Sequence, residues 1–145
     1  MNFACIIALI SLIIATPALA HEDVKNSTVK ARIMAMSSIV SNMRTLGGMA
    51  KGAVAFDLDQ AKAALANINK ISKTMPALFK DKEMDPKSEA LPAIWTNFSD
   101  FTARSEAMEG TAAKALANFS SQDDLIPSMR ALGGTCKACH STYRK

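Results

Sequence analysis

Residues 29–43 read VKARIMAMSSIVSNM, and the spacing of their apolar side chains predicts the fold of the chain. Alternating steps of four and three residues are typical of the seam along which one helix packs against others in a bundle. The residues of this seam are Val29, Ile33, Met36, Val40 and Met43. Packing between helices is therefore the expected basis of the fold.

The segment around this seam is predicted to form one helix over about residues 22–46. Asp23 and Ser27 are candidate N-caps, because short polar side chains accept hydrogen bonds from the first free N–H groups of a helix. Gly47-Gly48 is the expected stop, since glycine is common directly after the end of a helix.

A second segment with helical spacing begins near Asp57 or Asp59 and extends to about residue 72. Its apolar face consists of Ala61, Leu65, Ile68 and Ile71. Residues 74–87 follow as a predicted linker, because they contain two prolines, Pro76 and Pro86.

Two more segments complete the predicted set of helices. The third covers about residues 89–119 and directs Ile94, Phe98, Phe101 and Met108 towards a core. The fourth begins at Ser121 or Asp123 and ends near Tyr143, with Pro127 close to its first turn, where proline is tolerated. Four helices with short connections predict an all-α fold, an antiparallel four-helix bundle.

The first twenty residues read as a cleaved secretory signal peptide. An apolar run over residues 6–14 precedes Pro17 and the cleavage signature Ala18-Leu19-Ala20. A membrane anchor is the alternative, but this run is shorter than the ~20 apolar residues that span a bilayer. The mature chain would cover residues 21–145 as one domain, exported to the periplasm and without a membrane span.

The charge of the chain limits the classes of partner. The formal net charge is +4, with lysines and acids interspersed, which does not predict a nucleic-acid partner but suits redox proteins with an acidic docking face. The acids Asp81, Glu83 and Asp85 read as solvated surface. We expect no enzyme activity, because the mature chain has no organised acid–base constellation. Both a monomer and a homodimer are compatible with the sequence.

The strongest chemical motif is Cys136-Lys137-Ala138-Cys139-His140, the C-x-x-C-H pattern of covalent haem attachment. On a helix, Cys136, Cys139 and His140 share one face, so two thiols can add to the vinyl groups of one porphyrin while the imidazole ligates its iron. One covalent haem c per chain, near the C-terminus, is therefore the predicted cofactor.

Three other interpretations of the cysteine pair compete with haem attachment. A thioredoxin-like pair would accompany a βαβ pattern, which the sequence lacks. A structural zinc site needs four ligands, and His21 is the only other Cys or His of the mature chain. A simple disulfide is the third interpretation. The export signal favours haem over all three, because c-type haem is attached outside the cytoplasm.

A second axial ligand distinguishes electron transfer from gas binding at a haem iron. Met36 and Met43 lie on the apolar seam of the first helix, although methionine is more often a core filler than a ligand. Arg32 precedes Met36 by four residues and would project beside the same pocket. It could hold a haem propionate there, or it could be an ordinary solvated residue.

Residues 133–145, GGTCKACHSTYRK, closely resemble the C-terminal segment of the cytochrome c-prime family, class II c-type cytochromes that are four-helix bundles. Residues 29–32 with Met36 resemble the first helix of that family, and residues 90–95 resemble the beginning of its third. The resemblance implies thioethers at Cys136 and Cys139 and an iron bond at His140. It further implies an Arg32 contact with a propionate and an approach of the backbone near Glu89 to the haem edge.

The family also implies a role for the position four residues after Arg32. Five-coordinate, gas-binding members have an apolar residue such as leucine there, whereas this chain has Met36. The resemblance thus implies the low-spin branch, in which methionine is the sixth ligand, and a periplasmic electron-transfer cytochrome. The alternative is a five-coordinate protein that binds nitric oxide or carbon monoxide. Ile33 replaces a polar residue found beside the arginine in many relatives.

Overall fold

The computed structural model describes residues 24–145 and confirms the predicted all-α fold. Its helices are α1 (Ser27–Ala50), α2 (Leu58–Leu78), α3 (Ala93–Thr96), α4 (Phe98–Asn118) and α5 (Leu125–Tyr143). A single 3₁₀ turn, Gln122–Asp124, precedes α5. The four long helices form the bundle: α2 packs against α1 and α4, and α5 packs mainly against α4. The predicted signal peptide lies outside the described residues.

Helix α1 begins later than predicted. Residues 24–26 are not helical, and Asn26 rather than Ser27 is the N-cap, because its side chain accepts a hydrogen bond from the Val29 N–H at 3.0 Å. The candidate cap Asp23 lies outside the described residues. The Asp85 carboxylate accepts further bonds from the N–H groups of Lys25 and Asn26, which fixes the chain at the start of the helix.

The predicted stop at Gly47-Gly48 is wrong, because α1 continues through both glycines to Ala50. A β-carbon added to Gly47 would lie 3.3 Å from the terminal methyl group of Met129 in α5. Gly47 therefore allows α1 and α5 to approach closely. The turn comes at Gly52, whose φ of +68° is a conformation that glycine adopts at little cost.

The start of α2 was predicted correctly and its end was not. Asp57 is the N-cap and accepts a hydrogen bond from the Gln60 N–H at 2.9 Å. The helix continues six residues beyond Ser72, to Leu78, so the beginning of the predicted linker is helical and Pro76 lies inside the last turns. Proline lacks the N–H that would bond to the carbonyl four residues earlier, which is that of Ser72.

The third predicted helix is shorter and is broken near its beginning. Residues 89–92 are not helical, and Ala90 forms an isolated antiparallel bridge with Arg144. The single turn of α3 ends at Thr96, and the next residue, Asn97, interrupts the helix before α4 with φ and ψ of −134° and 53°. The fourth helix ends at Tyr143 as predicted, and Ser121 with Asp124 forms a capping box before it.

The buried core consists of two clusters between the long helices. The larger cluster is centred on Leu46, Leu65, Ile68 and Leu132, and the second on Ile39, Phe79, Ile94 and Phe101. Of the predicted seam of α1, Met36 and Met43 pack against these clusters, whereas Val40 is 46% exposed. Ile33, Met36, Val40 and Met43 also line a cavity between α1 and α5. Within residues 24–145, no helix is long and apolar enough to cross a membrane.

Candidate haem-binding site

The cavity between α1 and α5 has a volume of about 1090 Å³. Its lining contains every residue that the sequence predicts for the site: Arg32, Met36, Glu89, Cys136, Cys139 and His140. The fold therefore brings together three separate parts of the chain, namely α1, the segment before α3 and the last turns of α5.

The position of the cavity follows from the contact between Gly47 and Met129. Met36 precedes Gly47 by eleven residues, and His140 follows Met129 by eleven residues on the antiparallel helix. Eleven residues rise about 16 Å and complete three turns to within about 20°. For straight antiparallel helices, this arithmetic places Met36 and His140 at about the same level, each on the face of its helix that carries the close contact.

The three residues of the attachment motif are presented on one face of α5. Cys136 and Cys139 are free thiols, half-buried, and His140 is half-buried beside them. Burial raises the pKa of both thiols. Burial also lowers the pKa of His140, and the nearby Arg144 lowers it further, while Glu89 opposes this change. The lowered pKa of His140 favours its neutral imidazole, which is the form that binds metals.

Arg32 is only 3% exposed, so the interpretation as an ordinary solvated residue is wrong. Its guanidinium donates hydrogen bonds of 2.6–2.8 Å to the carbonyl groups of Leu78, Asp81 and Glu83. Its central carbon lies 4.6 Å from the centre of the Phe79 ring. Burial lowers its pKa, and Glu83 and Asp81 oppose this shift. Three of its five N–H donors are accounted for by these carbonyl groups.

Glu89 lies at the exposed rim of the cavity. Its carboxylate pairs with Arg144, with a distance of 2.5 Å between Oε2 and Nη2. Its backbone carbonyl accepts a hydrogen bond from the Lys145 N–H at 2.9 Å, and the Leu91 N–H donates to the Tyr143 carbonyl, also at 2.9 Å. These contacts hold the segment before α3 against the end of α5, next to His140.

Sequence reasoning missed a polar cluster on α4 and α5. Arg104 and Tyr143 line the cavity, and Asp100 joins them: its Oδ2 accepts hydrogen bonds from Arg104 Nε at 2.6 Å and from the Tyr143 hydroxyl at 2.5 Å. The Tyr143 and Arg104 bonds hold the pKa of Asp100 below its usual value. The i,i+4 spacing of Asp100 and Arg104 was the available signal for this pair.

The lining of the cavity fits a covalently held porphyrin. The α1 face provides apolar and thioether side chains for the ring, and the two thiols of α5 can form thioethers with its vinyl groups. Imidazole nitrogen and thioether sulfur are both suitable axial ligands for haem iron. The volume of about 1090 Å³ is just above the ~300–1,000 Å³ typical of ligand pockets, which suits a large planar ligand.

Comparison with known proteins agrees with this arrangement. A family model described as Cytochrome C' matches residues 27–144. Cytochrome c-556 from Agrobacterium tumefaciens (strain apple 185) is 36% identical over 118 residues, which cover 81% of this chain and 94% of that protein. Cytochrome c-554 from Cereibacter sphaeroides (strain ATCC 17023) is 34% identical over 145 residues, which cover 96% and 95% respectively.

A solved structure supports the same conclusion. The NMR-validated structural model of oxidized cytochrome c556 from R. palustris aligns with a TM-score of 0.75 and 27% identity, covering 82% of this chain and 96% of that one. Relatives of this family carry covalent haem c, and this chain has both cysteines of the motif, so the predicted cofactor is confirmed. The chain belongs to the cytochrome c' family.

Proposed function

We propose that this protein is a periplasmic one-electron carrier whose haem iron is held between His140 and Met36. Cys136 and Cys139 would form the thioethers that attach the haem to α5, and His140 would bind its iron. The observation that carries the proposal is the register of α1 and α5, in which Met36 and His140 lie eleven residues from the Gly47–Met129 contact on their respective helices.

This register distinguishes Met36 from the other methionine of the predicted seam. Met43 also lines the cavity, but it lies only four residues from Gly47, level with Gly133 rather than with His140. The relatives named cytochrome c-556 and cytochrome c-554 are consistent with the methionine-ligated branch of the family.

When bound, the haem supplies reversible uptake of one electron at its iron. The side chains around the haem would leave no iron position open for a substrate or gas. Met36 and His140 would both hold the iron, so no small molecule would need to bind or leave. Thioether ligation raises the reduction potential. The buried Arg32 has two N–H donors beyond its three carbonyl bonds, and these can contact a propionate. Glu89 lines the same cavity, so the backbone near it would lie at the haem edge.

The ferrous visible spectrum with and without carbon monoxide tests the axial ligands. We expect no prompt binding of carbon monoxide at neutral pH by the unaltered protein. Met36→Leu should change the spectrum to that of a high-spin haem and should bind carbon monoxide promptly. Met43→Leu is the matched control, because it alters another methionine of the same helix and cavity, and its spectrum should equal that of the unaltered protein.

Two results would contradict the proposed ligation. One is prompt, stoichiometric binding of carbon monoxide by the unaltered protein, and the other is an unchanged spectrum in Met36→Leu. Either result would favour a five-coordinate protein that binds nitric oxide or carbon monoxide. Mass spectrometry tests the attachment separately, since the mass of the haem should be lost when Cys136 and Cys139 are both replaced by alanine.

The proposed location and partner follow from the sequence. Cleavage after Ala20 would release residues 21–145 into the periplasm. The lining of the cavity includes the exposed cations Arg44 and Lys51, so an acidic redox protein is the expected partner at this face. N-terminal sequencing of the periplasmic protein should begin at His21. Retention of residues 1–20 would contradict the proposed export.

A further inference from the structure

A charged side chain without a role in the proposed function lies in the wall of the cavity. Arg104 of α4 lines the cavity together with Cys136 and Cys139. Its Nη1 donates a hydrogen bond to the carbonyl of Ala138, which lies between the two cysteines in the sequence. A guanidinium is a permanent cation, so α4 brings a fixed positive charge to the turn of α5 that carries the attachment motif.

Asp100 supplies the counter-ion one helical turn earlier. Its carboxylate contacts Arg104 Nε at 2.6 Å, and the Tyr143 hydroxyl donates to it from α5. The side chains of Arg104 and Asp100 are 31% and 38% exposed, so water screens the pair only in part. Arg104 lines the cavity and Asp100 does not. The positive group of the pair is therefore the one that faces the cavity.

We propose that the Arg104–Asp100 ion pair sets the reduction potential of the haem, with Arg104 raising the potential and Asp100 offsetting part of that rise. The inference rests on the proposed function, because it requires a haem attached at Cys136 and Cys139. Uptake of one electron removes one unit of positive charge from the haem. A nearby cation therefore favours the reduced state, and a nearby carboxylate favours the oxidised state.

The charge effect can be separated from a purely structural one. Arg104 also packs over Tyr143, with 5.5 Å between its central carbon and the ring centre, so its removal changes the packing of α5 as well. Loss of packing does not depend on the sign of the charge removed. Arg104→Gln and Asp100→Asn remove opposite charges at adjacent positions, so only an electrostatic role shifts the potential in opposite directions.

An equilibrium redox titration of the haem-loaded protein tests this, with external mediators supplying the electron and visible absorption as the readout. At a fixed potential, Arg104→Gln should raise the ratio of oxidised to reduced protein about threefold or more, and Asp100→Asn should lower it. Arg104→Lys keeps the charge and should stay closer to the unaltered protein. Arg130→Gln is the control, since Arg130 is an exposed cation of α5 outside the cavity lining.

Shifts of the same sign for Arg104→Gln and Asp100→Asn, or shifts no larger than that of Arg130→Gln, would overturn the proposal. If Arg104→Gln does not fold, Asp100→Asn still tests the proposal, because an unchanged or lowered potential in that variant would overturn it. Only variants whose mass includes the haem are titrated. The Met36→Leu spectrum tests the axial ligands independently, so the proposed function and this inference can fail separately.

Discussion

The hydroxyl of Ser105 in α4 donates a hydrogen bond to the backbone carbonyl of Ser72 in α2, over 2.8 Å. Pro76 cannot supply the N–H that this carbonyl would otherwise accept within the helix. The contact therefore joins two helices and satisfies a buried acceptor at the same time. Both serines are buried, and the Ser72 hydroxyl in turn donates to the carbonyl of Ile68.

Ser105→Ala should lower the free energy of unfolding by about 1–3 kcal/mol, because it leaves the Ser72 carbonyl without this donor. Urea denaturation of the haem-loaded protein measures the change. Ser99→Ala is the control, since Ser99 is an exposed residue of the same helix, and its effect should stay within about 0.5 kcal/mol. Equal effects of the two substitutions would contradict the role given to Ser105.

Arg32→Leu should destabilise the protein by about 3 kcal/mol or more, because three carbonyl groups lose a charged hydrogen-bond donor. Arg32→Lys should recover only part of this loss, since one ammonium group does not reproduce the guanidinium fork. Thermal unfolding measures both. Lys30→Leu, at an exposed position of the same helix, is the control. A fully stable Arg32→Leu variant would show that these bonds do not contribute.

Asp85 should stabilise the start of α1 only while it is ionised. The Lys87 N–H holds its pKa below the usual value, and the N–H groups of Asn26 and Lys25 act in the same direction. A lowered folded-state pKa contributes stability above the unfolded value of about 3.9, and this contribution is lost as the pH falls through the folded value. The contribution is therefore complete at neutral pH and absent in strong acid.

Thermal unfolding of the unaltered protein and of Asp85→Asn across the acid range checks this dependence. The difference in melting temperature should be constant above about pH 5 and should vanish in strong acid. Glu106→Gln removes an exposed carboxylate from the middle of α4 and controls for net charge. A difference that persists unchanged in strong acid would contradict the assignment to the ionised carboxylate.

Two glycines inside helices should respond in opposite ways to substitution. A β-carbon at Gly110 would meet nothing within 4 Å, so Gly110→Ala should stabilise α4 by about 0.5–1 kcal/mol. Gly47→Leu should destabilise by about 1–3 kcal/mol, because its side chain would push against Met129 and separate α1 from α5. Urea denaturation measures both effects. Stabilisation by Gly47→Leu would contradict the close contact.

The parts of the fold that depend on nearby residues were predictable from the sequence. The start of α2 near Asp57 or Asp59 and the apolar face of Ala61, Leu65 and Ile68 are both predictable, because each pattern involves residues within a few turns. Gly47 was misread as a stop, since its function depends on Met129 in a distant helix. Pro76 does not end α2 as predicted, and the carbonyl that it leaves without an N–H donor is bonded by Ser105 of a distant helix.

In the candidate site, too, features that depend on neighbouring residues were predictable, and features that depend on distant helices were not. The motif at Cys136, Cys139 and His140 is contiguous, so its shared helical face follows from spacing alone. Arg32 was singled out, but its burial was not predictable, because its partners are carbonyl groups, which every residue has. Arg104 was missed, since its relation to Ala138 arises only when α4 packs against α5.

The bridge between Ala90 and Arg144 has a consequence for local opening of the helix end. The final turn of a helix usually frays and opens far more often than its interior. In this protein the last turn of α5 is fastened by backbone bonds to residues 89–91, one turn from His140. We therefore expect the amide protons of Leu91 and Lys145 to exchange slowly with solvent, and the imidazole to be carried by a turn that opens rarely.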